Sequence, residues 1–166
     1  MDLTLIISLG VLFGCLIGLS WFAGSDAPYV PTKFEKIKKA LKLAGLKKGE
    51  VFYELGSGDG RVVLEAAKME AQSFGVEQSW IRVWFSRFKA KQLNLIKADF
   101  FHGDIFDRHY YNADVVFIYL LPKGVEKLEK KLRQELEKGS RVITQTYHFK
   151  HWRPKVKEGD FWIYRV

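Results

Sequence analysis

The residues that can do chemistry are concentrated in the stretch VFYELGSGDGR, where an apolar run from Val51 to Leu55 leads into Gly56-Ser57-Gly58-Asp59-Gly60 and then into a helical pattern. Glycines between a strand and a helix permit a tight turn and let a ligand approach the backbone closely. The spacing is G-x-G-x-G, and Arg61 stands where a pyrophosphate-binding loop needs Gly or Ala. Glu54 just before the loop repels a phosphate, yet its carboxylate can accept hydrogen bonds from an ammonium. Glu77, roughly 20 residues on, ends the next apolar run, where an acid can take the two hydroxyls of a ribose. The ligand these residues suit has an ammonium and a ribose and no phosphate.

The elements that must carry them alternate. The pattern predicts strands over 51–55, 73–77, near 99–102, 114–120 and 141–147, and helices over 60–69, 79–96 and 123–138. Strands alternating with helices make parallel βαβ units, so the expected fold is α/β with a mostly parallel, Rossmann-like sheet. The helix from Lys123 shows an apolar seam at Val125, Leu128, Leu132 and Leu136, and Gly139 ends it. Residues 152–156 and 161–166, separated by Lys157-Glu158-Gly159-Asp160, predict a C-terminal antiparallel hairpin. A first helix is expected from Thr32, whose spacing to Glu35 matches a capping box, to a stop at Gly45.

Leu3 to Phe22 contains no charged residue. Twenty helical residues reach about 30 Å, the thickness of a bilayer core, so a single transmembrane helix is expected within an anchor over 1–24. Residues 25–31 read as a linker and access segment, and 32–166 as the folded domain. All 27 Lys and Arg and 17 of the 19 acids lie beyond residue 32, which puts net charge +10 there against +8 for the whole chain. Lys33, Lys36, Lys38, Lys39 and Lys42 predict a single-pass orientation with the domain on the cytosolic side, or the matrix side in a mitochondrion, against anionic lipid headgroups. Gly10, Gly14 and Gly18 share one helix face and offer a homodimer contact. Cys15 is the only cysteine, which excludes a disulfide framework. His148 and His151 alone are too few to hold a metal, so none is expected.

S-adenosylmethionine has the ribose and ammonium required and no phosphate. The loop resembles the first motif, [DE]-x-G-x-G-x-G, of the class I, seven-strand methyltransferases that use it. That resemblance implies that Glu54, Gly56, Ser57, Gly58 and Gly60 hold the methionine end with Asp59 close by. It implies that Glu77 binds the ribose, and that Asp104 of His102-Gly103-Asp104-Ile105 bonds the adenine amino group with Ile105 beside it. PYVPT (28–32), ELGSGDGR (54–61), FGVE (74–77), VVF (115–117), LEKKLRQEL (128–136) and Trp152 together resemble the membrane-anchored protein-lysine methyltransferases, which modify the adenine nucleotide translocase or the ATP synthase c-subunit and have prokaryotic relatives. The loop and FGVE are also similar to the seven-strand histone lysine methyltransferases. Glu54 replaces the usual Asp of the membrane family, and residues 78–95 have no counterpart in it.

The resemblance implies lysine methylation in a membrane-associated protein. Methylation of a lipid, quinone or other small amphiphile, and a non-catalytic membrane adaptor on the same fold, stay open as alternatives. Nucleic acid is not expected, because Tyr119-Leu120-Leu121-Pro122 lacks the [DN]-P-P-[YF] pattern that grips a nucleobase amine. Tyr29 and Tyr119 are the aromatic walls expected around the reacting amine, with Tyr147 and Trp152 serving either there or in the core. Thr32 and Tyr29 belong to a segment that can close over the cofactor.

Overall fold

The computed structural model describes residues 2–22 and 30–166, with the side chains of Ile17, Ser20, Trp21 and Phe22 outside that description. In chain order the elements are α1 (Leu3–Phe22), α2 (Phe34–Leu43), β1 (Val51–Leu55), α3 (Arg61–Lys68), β2 (Gln72–Glu77), α4 (Trp80–Gln92), β3 (Ala98–His102), β4 (Val115–Ile118), α5 (Pro122–Glu135), β5 (Arg141–Gln145), β6 (Val156–Glu158) and β7 (Phe161–Arg165).

Seven strands form one sheet in the order β3-β2-β1-β4-β5-β7-β6. β1 to β5 pair in parallel, and β7 pairs antiparallel with both β5 and β6. The strand order reverses between β1 and β4, and in an open α/β sheet such a reversal opens a crevice at the carboxyl ends of the strands. Both faces of the sheet are covered. On one, Ile37 and Leu41 of α2 and Val62 and Ala66 of α3 pack on Phe52, Phe117 and Ile143. On the other, Val125, Leu128 and Leu132 of α5 pack on Leu55, Val116, Ile118 and Val142. Burial on both faces explains why these strands read as continuous apolar runs.

The N-terminal segment does form a helix, but among the described residues no helix is long and apolar enough to cross a membrane. The transmembrane anchor expected ahead of the domain is therefore corrected to the apolar helix α1. Gly10, Gly14 and Gly18 stand open along it, a Cβ at each meeting no atom within 4 Å.

Several boundaries shift for local reasons. The expected capping box at Thr32 does not form: Lys33 is the N-cap of α2 and makes no side-chain cap bond, because the Thr32 hydroxyl is bonded elsewhere. Gly45 does stop α2. It takes φ +65°, donates to Lys42, and is followed by Leu46 donating to Leu41, a Schellman closure. Asn94 ends α4 in the same way at φ +52°, four residues short of the sequence expectation, with Leu95 donating to Ala90. The hairpin's first strand begins at Val156, because Trp152 is packed on Phe149 and Tyr164 at 5.4 Å between ring centroids.

Candidate active site

The crevice at the β1/β4 reversal is a cleft of about 910 Å³. Thr32, Glu54, Gly56, Ser57, Gly58, Asp59, Glu77, Asp104, Ile105 and Tyr119 all line it, so the fold brings together residues spread over 88 positions of sequence. Gly60 is not part of the lining. It sits behind the loop at φ +78°, where a Cβ would lie 2.7 Å from the Phe100 ring and 2.8 Å from Ser86 Oγ. Tyr29 lies outside the described residues. Tyr147 and Trp152 do not line the cleft, and Trp152 belongs to the core packing.

Glu77, at the end of β2, organises the loop. Its Oε2 accepts the Gly58 N–H and its Oε1 the Ser79 N–H, each at 2.9 Å, and Arg82 Nη1 stands 3.7 Å from Oε1. Glu77 and Arg82 are 4% and 3% exposed, so this is a buried pair that ties β2 to both the glycine loop and α4. The loop also needs Gly75 beside it in β2. A Cβ there would meet Ser57 Oγ at 2.6 Å and Phe100 Cδ1 at 2.7 Å. Gly75→Ala is therefore expected to cost about 1–3 kcal/mol by overpacking, lowering the thermal midpoint by roughly 5 °C, and to weaken ligand binding by displacing Ser57. A thermal unfolding scan with and without S-adenosylhomocysteine measures both.

Glu54 is buried, and its Oε2 has no hydrogen-bond partner. Burial pushes its carboxyl well above the ordinary value, and the nearby Asp59 and Glu77 carboxylates push it further, outweighing the Val63 N–H and Arg61 that act the other way. Asp59 is the opposite case. Burial works to raise it, but Arg61, bonded through Nε and Nη2 at 2.9 Å each, and Lys89 at 3.5 Å hold it below the usual carboxylate range. Of the two acids bracketing the loop, Asp59 is therefore paired with its own neighbours, and Glu54 keeps an unpartnered oxygen.

Asp104 follows β3 and spends one oxygen locally, Oδ1 accepting the Phe106 N–H at 2.8 Å. Tyr119, just past β4, is half-buried against the α2/α3 side of the core. Thr32 is buried, its hydroxyl donating to Gln145 and its carbonyl accepting from Arg61.

Sequence reading misses Arg61, Arg82 and Gln145. Arg61 stands out in the sequence only for the glycine it replaces, and the bonds that Arg61 and Gln145 make to Thr32 span 29 and 113 positions, which leaves no local pattern to detect. Lys123 and Lys127 at the start of α5 also line the cleft. Among the described residues no group of three or more His, Cys, Asp or Glu could hold a metal ion.

These residues fit S-adenosylmethionine on an observation independent of motif. Two buried cleft-lining polar atoms, Glu54 Oε2 and Ser57 Oγ, have no hydrogen-bond partner, and buried polar groups left so are costly unless a ligand meets them. A seven-strand sheet in this order, with a glycine loop and acids at successive strand ends, defines the class I S-adenosylmethionine-dependent methyltransferases. A solved RNA methyltransferase from Salinibacter ruber, in complex with S-adenosyl-L-homocysteine, superposes with a TM-score of 0.76 at 34% identity over 82% of this chain and 92% of that one.

Within that class the chain belongs to the family of the ANTKMT methyltransferase domain, whose sequence model matches residues 54–156. A second model, that of the histone methylation protein DOT1, matches residues 19–82. The chain is 34% identical over 134 residues to the ATP synthase c-subunit lysine N-methyltransferase of Rattus norvegicus, matching 80% of this chain and 62% of that protein. It is 31% identical over 136 residues to a protein-lysine N-methyltransferase of Saccharolobus islandicus (strain REY15A), matching 77% of this chain and 81% of that one. The chain thus spans less than two thirds of the length of the rat relative.

Proposed function

We propose that this protein transfers a methyl group from S-adenosylmethionine to the side-chain amine of a lysine in a partner protein. The observation that carries the reading is the cleft, where Glu54 offers an unpartnered carboxylate oxygen on one wall and Tyr119 stands on another. The names of the rat and archaeal relatives support lysine as the acceptor, and membrane-associated proteins are the first partners to test.

When bound, the cofactor supplies a methyl group on a sulfonium. Glu54 and Ser57 would hold its methionine end, Glu77 its ribose and Asp104 with Ile105 its adenine. The acceptor amine must arrive neutral, and burying an ammonium lowers its pKa. Tyr119 and the apolar Leu120 and Leu121 supply a wall that excludes water, and an aromatic face also attracts the methylated cation that forms. Positioning and desolvation of this kind need no dedicated nucleophile in the protein. Neither a homodimer through Gly10, Gly14 and Gly18 nor a lipid acceptor enters this reading.

The description of the Salinibacter ruber relative makes RNA the competing acceptor. Incubating the protein with S-adenosylmethionine labelled in its methyl group and a lysate of the organism's own cells, then separating protein, RNA and lipid, decides between them. The label is expected in protein. Label confined to RNA or to the lipid extract would overturn the lysine assignment.

A further inference from the structure

The segment before α2 closes one side of the cleft, and it is held there by side chains given no role so far. Val30, Pro31 and Thr32 line the cleft. Thr32 is gripped from two directions: Arg61 Nη1 donates to its carbonyl at 3.1 Å, and its own hydroxyl donates to Gln145 Oε1 at 2.9 Å. The first bond leads to the glycine loop, since Arg61 is paired with Asp59. The second leads to the carboxyl end of β5. Gln145, the last residue of β5, is 4% exposed, and its Nε2 donates to Asp160 Oδ2 at 3.4 Å. Lys36 Nζ of α2 holds the same oxygen at 2.8 Å.

The backbone at this point is also unusual. The chain leaves β5 through Thr146 at φ +65°, a region that β-branched residues rarely occupy and that persists only where the surroundings fix it. Two bonds do so, Thr146 N–H to the Asp160 carbonyl and Tyr147 N–H to the Gln145 carbonyl, both 2.7 Å. The parallel register pairs Ile118 with Thr144, so the next residues along, Tyr119 and Gln145, are neighbours. Tyr119 packs on the same side of the sheet as Phe117 and Ile143, and alternation along the strands puts Gln145 on that side too.

We propose that Gln145 is a positioning residue for methyl transfer. Through Thr32 it fixes residues 30–32 against the cofactor cleft, and so joins the end of β5, beside the acceptor wall, to the glycine loop at the end of β1. The proposal rests on the methyltransferase reading, and the experiment separates the two.

Calorimetric titration of the full chain with S-adenosylhomocysteine is carried out on the unsubstituted protein, Thr32→Val, Gln145→Leu, the double variant and Thr32→Ser. Loss of one neutral hydrogen bond predicts binding weaker by about 5- to 10-fold in each of the first two variants. Because both remove the same bond, the double variant is expected to be no weaker than the worse single. Thr32→Ser, which keeps the hydroxyl, is expected within about twofold of the unsubstituted chain. Gln145→Met replaces Gln145→Leu if the latter does not fold. Single variants that bind like the parent, or effects that multiply in the double variant, would overturn the proposal and leave the methyltransferase reading standing. Absence of binding by the unsubstituted chain would overturn both.

Discussion

Glu77→Ala is expected to abolish S-adenosylhomocysteine binding and to destabilise the protein by about 3–5 kcal/mol, the range for removing one partner of a buried ion pair. Three groups lose the carboxylate together: the Gly58 N–H, the Ser79 N–H and Arg82. The first of these shapes the glycine loop, so the ligand site goes with it. Total stability of a domain is about 5–15 kcal/mol, and the variant should remain folded at low temperature. Glu77→Gln separates the two effects. Its amide keeps one oxygen for a backbone N–H while losing the charge that suits Arg82 and a ribose diol, so it should recover part of the stability and little of the binding. Denaturant unfolding and calorimetry on the two variants measure these quantities.

Glu54→Gln is expected to move stability and binding in opposite directions. A carboxyl held well above its ordinary value of 4.5 binds its proton more tightly in the folded than in the unfolded chain. Its contribution to stability is then fully present below the unfolded value and is lost as pH rises through the folded one. At neutral pH the unliganded wild type carries that cost, and glutamine, of nearly the same shape and neutral at every pH, removes it. The variant should therefore unfold at a higher temperature than wild type at pH 7, with the difference shrinking toward pH 4. Binding should fall by about 10- to 100-fold, the worth of hydrogen bonds to a charged acceptor. In the wild type, meeting an ammonium favours the carboxylate, so ligand binding should release protons. Titrations in buffers of different ionisation enthalpy would read that release, and Glu54→Gln should abolish it. A Glu54→Gln variant that binds as well as wild type would remove Glu54 from the site.

The parts of the site legible in the sequence are those fixed by local geometry. Gly56 to Gly60 follow a strand and open a helix, and Glu54, Glu77 and Asp104 fall at or beyond the ends of successive strands, positions that an alternating βα pattern places along one edge of a parallel sheet. What cannot be read is any bond whose partners come from distant elements. Thr32 looks like a helix cap because its neighbours match a capping box, yet its hydroxyl is taken by Gln145, 113 residues away. Arg61 looks like a departure from a dinucleotide motif and proves to be the clasp between Asp59 and Thr32. Trp152 and Tyr147 are open between wall and core on composition alone, and only packing on Phe149 and Tyr164 assigns Trp152 to the core. At the N-terminus, freedom from charge makes Leu3 to Phe22 long enough on paper to span a bilayer. That stretch does form α1, but among the described residues no helix is long and apolar enough to cross a membrane.

The most direct test of the whole account is acid hydrolysis and amino-acid analysis of protein incubated with this chain and labelled S-adenosylmethionine, run in parallel with Glu77→Ala. Label recovered as mono-, di- or trimethyllysine from the wild-type reaction, and absent with the variant, is the predicted result. Label recovered in another amino acid, or methyllysine formed equally well by Glu77→Ala, would contradict it.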